Sequence, residues 1–174
     1  MAAATKLLTS GGGGLILTPA SSIASDVTVN IPAQNCTLGI QGPAFSAYQS
    51  SAQTISSNTS TKIQFQTKEF DTSNAFDSTT NYRFTPPVAG YYQVNGNVTV
   101  STTTTNMYVD IFKNGTNFKQ GTQPNAAGGS GVNAVVYLNG STDYIELYAF
   151  IVVGQALAAT AAYTYFQAVL VRSA

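Results

Sequence analysis

From residue 42 onward, short runs rich in Val, Ile, Thr, Tyr and Phe recur between turn signals. The runs cover 44–48, 61–66, 82–84, 90–100, 107–112, 132–138, 144–150 and 163–171. Their residues fit a pleated, half-buried surface, and none of them carries a 3.6-residue period. Asn114-Gly115, Asn139-Gly140, Pro86-Pro87 and Gly128-Gly129 mark the turns between them. Asn114-Gly115 predicts a two-residue hairpin, and residues 139–143 predict a loop of about five residues. Evenly spaced strands with such punctuation predict an all-β sandwich or barrel.

Residues 1–41 differ in texture and predict an N-terminal arm, with residues 42–174 forming one domain. Gly11 to Gly14 reads as a hinge. Leu15 and Leu17 mark a short strand, and Val27, Val29 and Ile31 alternate with polar residues up to Pro32. An alternating segment without a core of its own must bury its apolar face on another surface. These five residues are the candidate attachment residues.

Composition narrows the function. Only 8% of residues are charged, seven positive and seven negative, where about 25% is usual. No basic face is available, so nucleic acid is not an expected partner. No stretch reaches the length of a membrane span, and the first residues do not read as a signal peptide. A net charge of zero does little to keep copies apart. His is absent, which removes the commonest general base and leaves the abundant Ser and Thr unactivated. Glu69 and Asp71 stand two apart beside Lys68 and read as a solvated strand edge rather than an acid/base pair. No enzymatic activity is expected. The single cysteine, Cys36, excludes an intrachain disulfide and reads as a small apolar residue of the arm. Five Asn-x-Ser/Thr triplets read as by-products of an Asn/Thr-rich composition.

Across 70–94 the chain carries Phe76-Asp77, Tyr82-Arg83-Phe84, Pro86-Pro87, Gly90 and Tyr91-Tyr92 in that order. On either side stand Ala44-Phe45-Ser46-Ala47, Ile111-Phe112-Lys113-Asn114-Gly115, the run 135–147 and the run 165–171. This ordered set resembles the C1q-like domain over about residues 43–172. The resemblance implies an antiparallel jelly-roll sandwich of ten strands, of the C1q/TNF type, packed as a homotrimer and serving recognition rather than catalysis. The whole chain, arm included, also resembles small C1q-like virion proteins of tailed bacteriophages, in which the arm docks on a capsid or tail. It departs from vertebrate C1q proteins in lacking a collagen stalk.

On this reading Phe45, Tyr82, Phe84, Tyr91, Tyr92, Tyr165 and Phe166 divide between the core and the trimer contact. Adjacent aromatics on a strand point to opposite faces, so of Tyr91 and Tyr92 one enters the core and the other meets a second surface. The expected function is a virion decoration, cement or fibre protein. The alternative is a tail-fibre adhesin that binds a host receptor or glycan through loops at 101–106 and 123–131. No cofactor is expected. Calcium is the one metal with candidate ligands, Asp71, Asp77 and Asp143, but no Asp-x-Asp-x-Asp loop accompanies them.

Overall fold

The computed structural model describes residues 5–8, 14–17, 42–104, 106–122 and 127–174. The chain divides into two units, Met1–Gly39 and Ile40–Ala174. In the first, β1 (Thr5–Leu8) pairs antiparallel with β2 (Gly14–Leu17), Lys6 opposite Ile16. Leu15 and Leu17 thus lie on a strand, as their pattern predicts, and a second strand accompanies it. Val27, Val29, Ile31 and Cys36 lie outside the described residues.

The second unit is a sandwich of two antiparallel sheets. One contains β3 (Ala44–Tyr48), β6 (Thr67–Asp71), β9 (Ala89–Thr104), β12 (Ala127–Asn139) and β15 (Tyr165–Ser173), in the order β12-β9-β15-β3-β6. The other contains β7 (Phe76–Asp77), β8 (Arg83–Phe84), β10 (Met107–Lys113), β11 (Thr116–Gln120) and β13 (Ile145–Ile151), in the order β11-β10-β13-β8-β7. Strand β5 (Thr61–Lys62) adds to β13. A small pair, β4 (Thr54–Ile55) with β14 (Gln155–Ala156), completes the unit. Thirteen strands replace the expected ten, because several paired segments are only two residues long.

Some expected runs are adjusted. The run 61–66 pairs only at Thr61–Lys62; Ile63 and Phe65 go into the core outside any ladder. Tyr82 stands before its strand at φ +49, so β8 begins at Arg83. The loops expected at 101–106 and 123–131 are partly strand, since β9 continues to Thr104 and β12 begins at Ala127. Asn114 and Gly115 take φ of +52 and +77, the left-handed pair of a tight hairpin. At Gly140, φ +73 and a backbone atom of Ala89 only 2.3 Å from where a Cβ would stand leave room for glycine alone.

The core follows strand parity. On β9, Tyr92, Val94, Val98 and Val100 point inward and Tyr91 points outward. Gly96 shares the inward face because Leu147 fills its space; a Cβ there would stand 2.5 Å from the leucine. Phe45 is fully buried and stacks on Phe84 at 4.5 Å and Phe76 at 4.6 Å, with Phe166 edge-on at 5.2 Å. Each such ring contributes roughly 1.5–3 kcal/mol through burial alone.

Candidate functional site

The pleat that buries one face of the five-stranded sheet presents its alternate residues on the other. Reading across the paired strands gives rows on this outward face. Tyr137 lies opposite Tyr91, and Tyr91 opposite Arg172. The next row is Val135, Gln93, Val169 and Ala44. Then come Asn133, Asn95, Gln167 and Ser46. Gly131, Asn97, Tyr165 and Tyr48 follow. The first rows form an apolar patch: Tyr91, Val135, Tyr137, Val169 and Val171 are all exposed. The rings of Tyr91 and Tyr137 sit 5.5 Å apart. Isolated exposed apolar residues are ordinary, whereas a contiguous set on one sheet face marks an interaction surface.

Within the five-stranded sheet, charge is confined to the edge strand β6 and to Arg172. Strands β3, β9, β12 and β15 together carry a single charged residue, Arg172. In the second unit every other charge lies on the opposite sheet, on β6 or in a loop. Three pairs tie those charges down: Lys62 to Glu146 at 2.8 Å, Lys68 to Asp71 at 3.1 Å and Lys113 to Asp143 at 2.9 Å. A face with so few charges can be dried by a partner at little cost in desolvated ions.

Of the aromatic candidates, Phe45, Phe84, Tyr92 and Phe166 lie in the core. Tyr92 donates its hydroxyl to Val88 O at 2.7 Å, and burial pushes its pKa up to about 12. Tyr91 is exposed on the outward face, Tyr165 is half-buried there, and Tyr82 is half-buried elsewhere. Val135, Tyr137, Val169 and Val171 had only their alternation as a signal. Their membership of one patch requires knowing which strands are neighbours.

The three candidate calcium ligands are engaged by protein donors. Asp77 accepts the backbone N–H groups of Thr79, Thr80 and Asn81 at 2.9–3.0 Å. Those bonds, led by Thr80, hold its carboxyl well below the usual carboxylate range. Asp71 accepts from the backbone of Ala75 and Phe76 and from Lys68. Asp143 accepts from the Asn114 amide and the Asn139 backbone and pairs with Lys113. All three act as turn staples. Among the described residues no group of three metal-ligating side chains converges, and no helix is long and apolar enough to cross a membrane.

Solved structures share this two-sheet architecture. Murine APRIL aligns over 75% of this chain and 100% of its own, with 12% identity and a TM-score of 0.61. The globular domain of zebrafish complement 1qA aligns over 77% and 100%, with 15% identity and a TM-score of 0.57. The fold is the TNF/C1q-like jelly roll. The vertex protein P5 of PRD1 shares it, over 77% of this chain and 100% of its own, with 15% identity and a TM-score of 0.54. No family model and no curated protein matches the sequence. In this TNF/C1q-like jelly roll, β9 and β12 form the longest paired ladder, and it is this ladder that carries Tyr91, Val135 and Tyr137 outward.

Proposed function

We propose that the chain is a non-enzymatic structural protein of a bacteriophage virion. It associates as a homotrimer through the charge-poor outward face of its five-stranded sheet and attaches to the capsid or tail through residues 1–41. The observation that carries this reading is the coincidence, on one sheet face, of an exposed apolar patch and near-total absence of charge. That pairing suits permanent contact with other copies of this chain, since interface cores are depleted in charge and enriched in aromatics. Three-fold packing is what the C1q-like motif set implies. The likeness to a phage vertex protein supports a place on a virion.

Light scattering tests the association. The intact protein is expected at about three times its 18.2 kDa chain mass. Val169→Asp sets a carboxylate in the middle of the patch, where drying it costs several kcal/mol. That variant is expected to fold yet run as a monomer at micromolar concentration. A monomeric parent protein, or a trimeric Val169→Asp, would refute the assigned face.

Attachment is tested separately. A short strand pair is marginal alone and satisfies its backbone best by adding to another sheet. Removing residues 1–41 is expected to leave a folded trimer that no longer joins particles. Normal incorporation of the truncated protein would move the attachment surface onto the jelly roll.

A further inference from the structure

The two lateral edges of the sandwich carry a matched pair of features. At one edge, β6 pairs among the described residues only with β3, and the register skips Glu69: Ser46 faces Phe70 and Ala47 faces Lys68. At the other edge, β11 pairs among the described residues only with β10, and the register skips Phe118: Ile111 faces Lys119 and Phe112 faces Asn117. A bulge turns two successive side chains toward one side. Each edge therefore displays an aromatic ring beside a charge, Glu69 with Phe70 and Phe118 with Lys119. Phe70 is 51% exposed and Phe118 39%. The Lys119 ammonium lies 5.3 Å from the Phe118 ring centre.

The charges are opposite, and neither has an ion-pair partner among the described residues. Glu69 is held in place by Ser46, whose hydroxyl donates to it and in turn accepts from Gln167. The Glu69 carboxylate is thus tied down by one hydrogen bond at an exposed position of the edge strand.

The two edges also match in height along the strands. Ser46 lies in the row of Asn133, Asn95 and Gln167, and Glu69 stands beside Ser46 in that row. On the far side, Thr122 donates to Gly131 O. Counting back along the chain from Thr122 and forward from Gly131 sets Lys119 at the level of Ala134, one residue from Asn133. Rotation about an axis running along the strands leaves heights unchanged, so equal heights on opposite edges are what a closed ring requires.

We infer that Glu69 and Phe70 of one protomer dock against Lys119 and Phe118 of the next, a head-to-tail contact repeated around the ring. The inference rests on the proposed self-association and assigns its lateral contact and its direction. The partner is a second copy of this chain.

Charge exchange tests it, with the association constant read by sedimentation or light scattering across a dilution series. Glu69→Lys sets two ammonium groups against each other, and Lys119→Glu two carboxylates, and like charges brought together at an interface repel. Each is expected to weaken association by about tenfold or more. The double variant, Glu69→Lys with Lys119→Glu, is expected to recover most of the loss. Melting curves at a dilution where all variants are monomeric check that each folds; Lys119→Glu, on an exposed strand, carries the test should Glu69→Lys not fold. Silent single variants, or single losses that the double does not recover, would overturn the contact while leaving the Val169→Asp result to judge the sheet face. A parent protein monomeric throughout would overturn both.

Discussion

Phe45→Ala is expected to cost about 3–5 kcal/mol, the range for removing a fully buried phenylalanine. Phe45 has no exposed surface and touches three other rings, from β7, β8 and β15, so it joins both sheets at one point. Its neighbours are fixed by ladders on either side and cannot collapse into the space. Aromatic contacts of this geometry add about 0.5–1.5 kcal/mol each beyond burial. For a chain of this size the loss corresponds to a fall in Tm of about 10 °C or more. Thermal melts of a monomeric background, such as Val169→Asp, would isolate the effect from association. A fall of only a degree or two would mean that Phe45 is not at the junction the structure assigns to it.

Acid is expected to destabilise the fold sharply below about pH 4. Asp77, Asp71 and Asp143 all have folded pKa values below the ordinary 3.8. For Asp77 the cause is the set of backbone donors led by Thr80. For Asp71 burial acts upward but is outweighed by the N–H groups of Phe76 and Ala75 and by Lys68. For Asp143 the Asn114 amide leads, then Lys113. A depressed folded value means stability that is present above 3.8 and lost as pH falls through it, because the unfolded chain binds protons first. Asp110 works in the opposite direction. It is 2% exposed with one carboxylate oxygen lacking a partner, and burial raises its pKa despite the Gln120 and Asn117 side chains. Its contribution is favourable below 3.8 and is lost as pH rises, so at neutral pH it weakens the fold. Asp77→Asn should flatten the acid limb of a stability–pH curve, and Asp110→Asn should raise the neutral plateau. An acid limb unchanged by Asp77→Asn would show that the turn at 77–81 does not carry the linkage.

Much of the fold is legible wherever period-two alternation runs long. Residues 44–48, 107–112 and 132–138 become strands because their apolar positions alternate, and the Asn114-Gly115 turn follows from two residues that tolerate positive φ. Strand β6 has no apolar alternation, because three of its five residues are charged, but Glu69 and Asp71 read as a solvated strand edge and lie on one. Ile63 and Phe65 mislead in the other direction, since they alternate and are buried yet belong to no strand, Ile63 holding β13 only through its N–H to Leu147 O. The sheet face is harder. Its apolar members come from β9, β12 and β15, which lie far apart in sequence, and only the jelly-roll winding makes them neighbours. The absence of charge from β9 and β12 is visible in the sequence, but what it signifies depends on their sharing one face. Of the arm, Leu15 and Leu17 fall on β2, and the role assigned to them is the one the truncation tests.

The irregularities at the sheet margins have a consequence for how large an assembly can grow. Three of the four terminal strands of the two sheets depart from regular pairing: β6 at Glu69, β11 at Phe118 and β12 between Ala127 and Gly129; the fourth, β7, is only two residues long. A flat, regular margin would invite a further strand from any passing chain, and an uncharged, Thr- and Val-rich sequence would extend such a ladder without limit. Kinked margins with Lys68, Glu69 and Lys119 beside them refuse that growth. Copies can then meet only through side chains, which accept one orientation and one number of neighbours. The protein can therefore crowd at high local density without polymerising into fibres.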